Sequence, residues 1–290
     1  MRIIQSLDEM METARGWLLG GPVGYVPTMG YLHAGHAALL QEARRNCEVS
    51  IASIVTNPLP FASPNDSRLV PYNRDLDLQL LSREQVDVVF MPAAAKLFPS
   101  NFQTYVYPSG PLIRRLEGSV RPEFFRGYAT LMAKLFALVR PDIVYLGQKN
   151  AQLVALVQQL VRDLNIDVKV QVLPTVREAD SLPASSRTQS LTPAERQAAT
   201  LLYAALLAGK ALIDQGERRL AIIEEAMTKT MAASPLVFPE YATACHPETF
   251  ADPGGYLPDV LTDLLLVLAA RVGNLRLTDN LRMRDGQWLL

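Results

Sequence analysis

The sequence predicts an α/β fold, with a Rossmann-like, doubly wound parallel sheet followed by a second, smaller α+β domain. Short runs rich in valine and isoleucine alternate with helical patterns over the first two-thirds of the chain. These runs are continuously apolar, which is typical of parallel strands that are buried on both faces. Beyond residue 174 the pattern changes, and a polar stretch precedes two helical segments. The alternation in the first part indicates βαβ units.

The elements of the first part follow from where its apolar runs end. Each run stops at a glycine, proline or threonine, so we interpret the runs as strands and the segments between them as helices. In such sheets ligands bind beyond the carboxyl ends of the strands, and the residues directly after each strand are therefore candidates for a site. The predicted strands span residues 21–27, 49–56, 86–92, 142–147 and 168–174, and the predicted helices span residues 36–46, 74–84, 130–140 and 151–164.

The second part has a clear start signal for its first helix. Thr192 can cap the helix, Pro193 suits its first position and Glu195 lies in its first turn. We therefore divide the chain into a domain of residues 1–175 and a smaller domain of residues 176–290. The second domain is predicted to contain helices over residues 193–216 and 219–232 and strands over residues 240–245, 264–270 and 275–279.

Composition excludes several classes of protein. The chain has 28 Lys+Arg and 29 Asp+Glu, which gives a net charge of −1. This overall charge does not indicate binding to nucleic acid or to an anionic membrane. Its longest apolar run, residues 264–270, is far shorter than the roughly 20 residues that span a bilayer. Two cysteines, Cys47 and Cys245, cannot form a disulfide framework or a cysteine-based metal cluster. The N-terminal residues also lack the pattern of a signal peptide, and we expect a cytoplasmic protein that binds neither nucleic acid nor membranes.

Two of the three histidines lie three residues apart, directly after the first predicted strand. His33 and His36 form an H-x-G-H motif in which Gly35 allows a ligand to approach the backbone closely. The start of the following helix offers backbone N–H groups to a phosphate. The alternatives are that the same pair caps the helix or binds a metal, although no further histidine or cysteine lies nearby to complete a metal site. We favour phosphate binding.

Six sequence motifs follow one another along the chain. They are PTMGYLHAGH at 27–36, NPLPF at 57–61, RPEFFRG at 121–127, GQKNAQ at 147–152, PTVRE at 174–178 with SSR at 185–187, and AARVG at 269–273 with DN at 279–280. In order and spacing they resemble the motifs of the pantothenate synthetase family, within the HIGH-type nucleotidyltransferases.

This resemblance implies a reaction in two steps. A small carboxylic acid attacks the α-phosphate of ATP and gives an acyl-adenylate and pyrophosphate, and a small amine then attacks the acyl carbon and releases AMP. The resemblance implies ATP and Mg²⁺ as cofactors, a first domain that binds ATP and carries the catalysis, and a second domain that acts as a lid. It also implies a homodimer through the N-terminal domain, and residues 98–115 are our candidate for part of that interface.

The resemblance also assigns roles to individual residues. The expected catalytic residues are His33, His36, Lys149, Ser185, Ser186 and Arg187. The expected ATP-binding residues are Pro27, Thr28, Met29, Gly30, Gly35, Gly147, Asn150 and Val176. The expected substrate-binding residues are Asn57, Pro60, Phe61, Phe124, Gln152 and Leu153, and Asp77 is the expected metal ligand.

The chain departs from the family mainly at the positions that bind the acid. Pro60 and Leu153 stand where the family has glutamines that bind pantoate, and Glu123 and Phe124 stand where it has glycine and histidine. Loss of such a polar partner weakens recognition by about 1–3 kcal/mol. We therefore hypothesise an amide ligase with an altered acid substrate. The alternatives are a genuine pantothenate synthetase that joins pantoate and β-alanine, and a nucleotidyltransferase or a non-catalytic nucleotide-binding protein.

Overall fold

The computed structural model describes residues 1–17, 20–55 and 72–289. The chain divides into two compact units, each with its own sheet. The first unit is Met1–Gly147 with Leu153–Leu173, and the second is Gln148–Gln152 with Pro174–Leu290. Among the described residues, no helix is both long enough and apolar enough to cross a membrane.

The first unit is built on a six-stranded parallel sheet in the order β1-β4-β3-β2-β5-β6. Strand β2 pairs with β3 on one side and with β5 on the other, so the strand order reverses beside β2. Ligands of doubly wound sheets bind beyond the carboxyl ends of the strands at such a point. The strands are β1 (Arg2–Ile4), β2 (Val23–Thr28), β3 (Val49–Ile54), β4 (Val88–Phe90), β5 (Ile143–Gly147) and β6 (Lys169–Leu173).

Helices cover both faces of this sheet. Tyr25 and Val144 belong to one buried apolar cluster, whereas their neighbours Val26 and Tyr145 belong to another. Successive side chains of a strand point to opposite faces, so both faces are buried, which explains the continuously apolar runs. The helices are α1 (Leu7–Gly16), α2 (Ala34–Asn46), α3 (Arg74–Arg83), α4 (Ala94–Leu97), α5 (Pro111–Arg114), α6 (Leu116–Val120), α7 (Pro122–Val139) and α8 (Ala151–Asp163).

The sequence predicts this architecture correctly but misplaces one helix. The five expected strands and three of the four expected helices are confirmed to within a few residues at their ends. The helix expected at residues 130–140 begins at Pro122, because proline suits the first turn of a helix and Phe125 and Ala129 extend the buried face. Strand β1, helix α1 and the short helices α4 to α6 are not predicted by the sequence patterns.

The second unit is a four-stranded antiparallel sheet with two long helices. The strand order is β10-β9-β8-β7, and the helices contribute to one apolar cluster with the sheet, which contains Leu206, Met227 and Leu266. This confirms the smaller α+β part of the predicted fold, with one additional strand, β10. The elements are α9 (Pro193–Asp214), α10 (Leu220–Met231), β7 (Val237–Cys245), β8 (Leu264–Val272), β9 (Leu275–Arg284) and β10 (Gln287–Leu289).

Close packing of α2 against β2 depends on Gly24. A Cβ atom at this position would lie 2.8 Å from the Sγ atom of Cys47 and 3.2 Å from the Cβ atom of Ala43. We expect Gly24→Ala to lower the free energy of unfolding by about 1–3 kcal/mol, because the helix must shift to relieve the overlap. Urea denaturation measures this. The matched control is Gly16→Ala, since a Cβ atom there would meet nothing within 4 Å.

Removal of the Cys47 sulfur provides the second half of this test. Gly24→Ala in a Cys47→Ala background should cost less free energy than it does in the parent chain, because the nearest overlapping atom is absent. An equal cost in both backgrounds would contradict the packing argument.

Candidate active site

The turn that leads from β2 into α2 is fixed by polar contacts at the end of the strand. The Thr28 hydroxyl donates to the Ser53 carbonyl at 2.7 Å and accepts from the Gly30 backbone N–H at 3.3 Å. Gly30 and Tyr31 both have positive φ, at 78° and 56°. This left-handed backbone suits glycine at the first of the two positions and reverses the chain towards the histidines. The predicted ATP-binding residues Pro27–Gly30 therefore lie at the carboxyl end of β2, beside the point where the strand order reverses.

Asp77 on α3 also stabilises this turn through its side chain. The residue is only 3% exposed, and its two carboxylate oxygens accept the backbone N–H groups of Tyr31 at 2.8 Å and Leu32 at 2.7 Å. Asp77 is therefore a brace for the turn that presents the histidines. Its expected role as a metal ligand stays a prediction.

The two histidines form a reciprocal cap at the start of α2. The Nδ1 atom of His33 accepts the Gly35 N–H at 3.1 Å, and the Nδ1 atom of His36 accepts the His33 N–H at 3.3 Å. The two rings lie 4.1 Å apart. Because each Nδ1 accepts a hydrogen bond, each neutral ring carries its proton on Nε2, which makes Nε2 a hydrogen-bond donor.

The capping role and the phosphate role therefore use different atoms of the same rings. A helix N-terminus with two imidazole donors suits an anion, because the Nε2–H groups and the helix dipole both favour negative charge. The alternative of a histidine metal site finds no support in the described part of the chain, where no group of three His, Cys, Asp or Glu residues is arranged to hold a metal.

The chain continues from the end of β5 into a short 3₁₀ turn, Gln148–Asn150, which belongs to the second unit. Gln148 is buried, Lys149 is half-buried and Asn150 is exposed. The turn is held by Asn280 on β9, whose side-chain amide donates to the carbonyls of Gln148 and Lys149, both at 3.1 Å. The Gln148 amide in turn donates to the Asn280 Oδ1 atom at 3.1 Å. The backbone of the candidate lysine is thus fixed by a buried amide.

The segment from residue 174 to residue 187 forms a tight hairpin. The Glu178 N–H donates to the Leu182 carbonyl at 2.8 Å, and the Ala184 N–H donates to the Val176 carbonyl at 2.9 Å. This pairing places the predicted ATP-binding residue Val176 opposite the start of the Ser185-Ser186-Arg187 motif. The structure therefore brings together the two halves of a motif that are separated in sequence by the hairpin.

The second half of that motif leads into a short turn. The Thr188 hydroxyl donates to the Ser185 carbonyl at 2.8 Å, and the Arg187 guanidinium donates to the Arg276 carbonyl at 3.3 Å. Ser185 is buried, Ser186 is half-buried and Arg187 is exposed. Arg187 keeps an exposed cation beside two hydroxyl groups, which is a chemically suitable set of donors for a phosphate.

Arg177 joins the hairpin to strand β9. Its guanidinium donates from Nη1 to Asp279 Oδ2 at 2.8 Å and from Nη2 to Asp279 Oδ1 at 3.1 Å, and it lies 3.9 Å from the centre of the Tyr203 ring. Burial raises the pKa of the Asp279 carboxyl, whereas the guanidinium acts in the opposite direction. Sequence reasoning matched Arg177, Asp279 and Asn280 to motifs but gave them no role.

The candidate acid-binding residues are only partly described. Phe124 lies on α7, with the Arg121 guanidinium 4.2 Å from its ring centre and the Tyr128 ring stacked at 6.1 Å. Gln152 is buried and Leu153 half-buried in the first turn of α8. Their roles stay predictions. The remaining acid-binding candidates, Asn57, Pro60 and Phe61, lie outside the described residues.

Comparison with known proteins gives consistent results over almost the whole chain. The family model described as pantoate-beta-alanine ligase matches residues 2–282. A pantothenate synthetase from Chloroflexus aggregans is 40% identical over 288 residues, which is 99% of this chain and 100% of the relative. One from Dehalococcoides mccartyi is 40% identical over 261 residues, which is 90% of this chain and 96% of the relative.

Solved structures of similar proteins have the same fold. The crystal structure of pantothenate synthetase from Thermus thermophilus matches with a TM-score of 0.87 and 39% identity, covering 97% of this chain and 98% of that one. The pantoate-beta-alanine ligase from Francisella tularensis, crystallised with beta-gamma ATP and beta-alanine, matches with a TM-score of 0.76 and 30% identity. That match covers 97% of each chain.

Proposed function

Because this chain belongs to the pantoate–β-alanine ligase family, it is an ATP-dependent ligase that forms an amide bond, and we propose that it joins pantoate to β-alanine. The single observation that carries the proposal is the reciprocal histidine cap, in which both imidazoles keep Nε2 as a donor at the start of α2. Fixed donors of this kind stabilise negative charge as it develops on a phosphate.

In the first proposed step, the acid carboxylate attacks the α-phosphate of ATP. The pair His33 and His36 would donate Nε2–H to phosphate oxygens, and Lys149 would supply a compact positive charge. Mg²⁺ would neutralise charge on the phosphates. Magnesium sites of this type use one or two carboxylates together with phosphates and water, so Asp77 as the one candidate carboxylate is compatible with it.

In the second proposed step, the amine of β-alanine attacks the acyl carbon and AMP leaves. The residues that hold the adenylate in place are the donors of the first step together with Ser185, Ser186 and Arg187. Keeping the acyl carbon and the amine in a fixed orientation supplies much of the acceleration in such reactions. The presence of beta-alanine in the Francisella tularensis structure supports this amine as the substrate.

The identity of the acid is the point on which the comparisons change our expectation. The sequence led us to favour an altered acid, because Pro60 and Leu153 replace glutamines. The relatives are named pantothenate synthetases, and several of them are 40–41% identical over 90% or more of the chain, which favours pantoate. In this proposal, groups other than those two glutamines hold the pantoate hydroxyls. A cytoplasmic homodimer is part of the same proposal and is supported by the family resemblance.

Steady-state turnover tests this proposal directly. We expect AMP and pantothenate to form in equal amounts, and only when ATP, pantoate and β-alanine are all present. Formation of AMP with a less polar acid but not with pantoate would establish the altered-acid hypothesis instead. Binding of ATP without AMP formation from any member of a panel of small acids and amines would favour the non-catalytic alternative.

Leu153→Gln provides a second arm of this test. It restores one of the family's glutamines, and we expect the KM for pantoate to fall by about 5- to 100-fold, which corresponds to one hydrogen bond. The matched control is Leu153→Met, which changes the shape of the apolar side chain without adding a polar partner. Equal KM values for the two variants would show that position 153 does not meet the acid.

A further inference from the structure

Asp279 and Asn280 are adjacent polar residues in the second unit and are buried in the sheet. They lie on β9 and are only 2% and 4% exposed. Their register partners on β8 are Leu268 and Val267, both apolar. Buried polar groups are costly unless their hydrogen bonds are satisfied, so the partners of these two side chains show what the pair holds.

The partners of Asp279 lie in the hairpin that carries the expected nucleotide contacts. Both carboxylate oxygens are bound by the Arg177 guanidinium, which also donates to the Ser181 carbonyl at 3.0 Å. Arg177 follows Val176 directly, and the hairpin pairing leads from there to Ser185. A fork of two parallel hydrogen bonds fixes direction as well as distance. The ion pair therefore sets the orientation of the hairpin on strand β9.

The partners of Asn280 lie in the turn that carries Lys149. The Asn280 amide binds both backbone carbonyls of this turn and accepts from the Gln148 side chain. Because these contacts are made to backbone carbonyls, they fix the position of the Lys149 backbone. Two consecutive residues of one strand thus hold two separate segments.

We propose that Asp279 and Asn280 are positioning residues, which align the turn that carries Lys149 and the hairpin of residues 174–187 for binding of the ATP phosphates. This inference rests on the proposed function only in that both segments contact the nucleotide. In this proposal neither residue touches the substrate itself. Displacements of about 1 Å at groups that bind reacting atoms reduce rates strongly. Residues that fix the positions of such groups therefore affect the rate without touching the substrate.

A purely structural role for the pair makes a different prediction from a positioning role. If Asn280 acts through Lys149, its replacement should matter little once the lysine is absent. If Asn280 only stabilises the fold, its effect should add to that of the lysine substitution. A double-mutant cycle separates the two cases.

The experiment is a calorimetric titration of the full chain with α,β-methylene-ATP and Mg²⁺. Asn280→Ala and Lys149→Ala should each weaken the affinity by about tenfold, which is the size expected for loss of a charge-assisted contact. The double variant should be no more than about twofold weaker than the weaker of the two single variants. The control is Glu240→Gln, which breaks the exposed ion pair with Arg276 on the same sheet and should leave the affinity unchanged.

A second cycle tests Asp279 through its partner. Arg177→Lys keeps the positive charge but cannot form the two parallel hydrogen bonds, and Arg187→Ala removes the expected phosphate contact at the end of the hairpin. We expect the loss of binding free energy in the double variant to be clearly smaller than the sum of the losses in the two single variants. This cycle decides the proposal alone if Asn280→Ala lowers the unfolding midpoint below the assay temperature.

The outcomes that would overturn the proposal are additive losses in the decisive cycle, or affinities that stay within about twofold of the parent in Asn280→Ala and Arg177→Lys. Because the titration contains no acid or amine, it is independent of whether pantoate is the substrate. A parent chain that binds the analogue but does not turn over pantoate would refute only the proposed acid.

Discussion

Replacement of His33 with asparagine lowers the rate of adenylate formation by about 10²–10³-fold, the usual effect of removing one fixed donor from an oxyanion site. We expect the free energy of unfolding of His33→Asn to differ little from that of the parent chain. Asparagine is among the best residues for the start of a helix, and its Oδ1 atom can accept the Gly35 N–H that the Nδ1 atom of His33 accepts now. It has no group at the place of the Nε2 donor. The measurement is single-turnover release of pyrophosphate from ATP and pantoate.

The third histidine of the chain supplies a matched control for this substitution. The Nδ1 atom of His246 accepts the N–H groups of Glu248 at 3.2 Å and Thr249 at 3.3 Å, so it also caps a turn. His246→Asn should therefore preserve both stability and rate. If His33→Asn and His246→Asn left the rate equally unchanged, the histidine pair would be a structural cap alone.

His33→Ala separates the two roles further. It removes the cap acceptor as well as the donor, so it should lose the same rate as His33→Asn and in addition about 0.5–2 kcal/mol of stability. If the less stable variant His33→Ala were also much slower than His33→Asn, the rate would depend on the helix cap and not on the Nε2 donor alone. That result would contradict the assignment of the two roles to separate atoms.

The sequence predicts the histidine turn well because its interactions are local. The strand, the glycine and both histidines lie within a few residues, and the caps join residues that are two or three positions apart. The sheet is also predictable, since strands that are buried on both faces leave continuous apolar runs. Strand β1 is not predicted, because three residues contain too little pattern to distinguish a strand from a loop.

The contacts that organise the second unit are not predictable in this way. Arg177 and Asp279 are 102 positions apart, and Gln148 and Asn280 are 132 apart. A single sequence contains no periodicity or spacing that relates such positions. The motif that contains Asp279 and Asn280 is visible in the sequence. Its contacts with Arg177 and Gln148 are visible only in the folded structure.

Asp77 has a structural role that the sequence did not predict. The family resemblance suggested a magnesium ligand at this position, and that role stays a prediction. The structure shows that the two oxygens of Asp77 accept backbone N–H groups from residues 45 and 46 positions earlier. A carboxylate that braces a turn carries the same sequence signature as one that binds a metal. The difference lies in the partner groups, which the sequence does not reveal.

Replacement of Lys149 with methionine should reduce the rate of adenylate formation by about 10²–10³-fold, a larger change than the roughly tenfold loss of nucleotide affinity. Methionine keeps most of the unbranched apolar stem and removes the charge. In the proposed reaction that charge matters most as negative charge shifts onto the leaving pyrophosphate, so its loss affects the transition state more than the bound nucleotide. Pre-steady-state quench flow with saturating ATP and pantoate measures the rate.

Stability provides the internal check on the Lys149 substitution. The lysine charge favours the ionised form of Asp279, but the Arg177 guanidinium bound to that carboxylate is the larger influence, so we expect a loss below about 1 kcal/mol. Lys229→Met, on an exposed face near the end of α10, is the matched control and should change neither rate nor stability. A rate for Lys149→Met within about threefold of the parent would remove the lysine from the chemistry and leave its turn with a purely structural role.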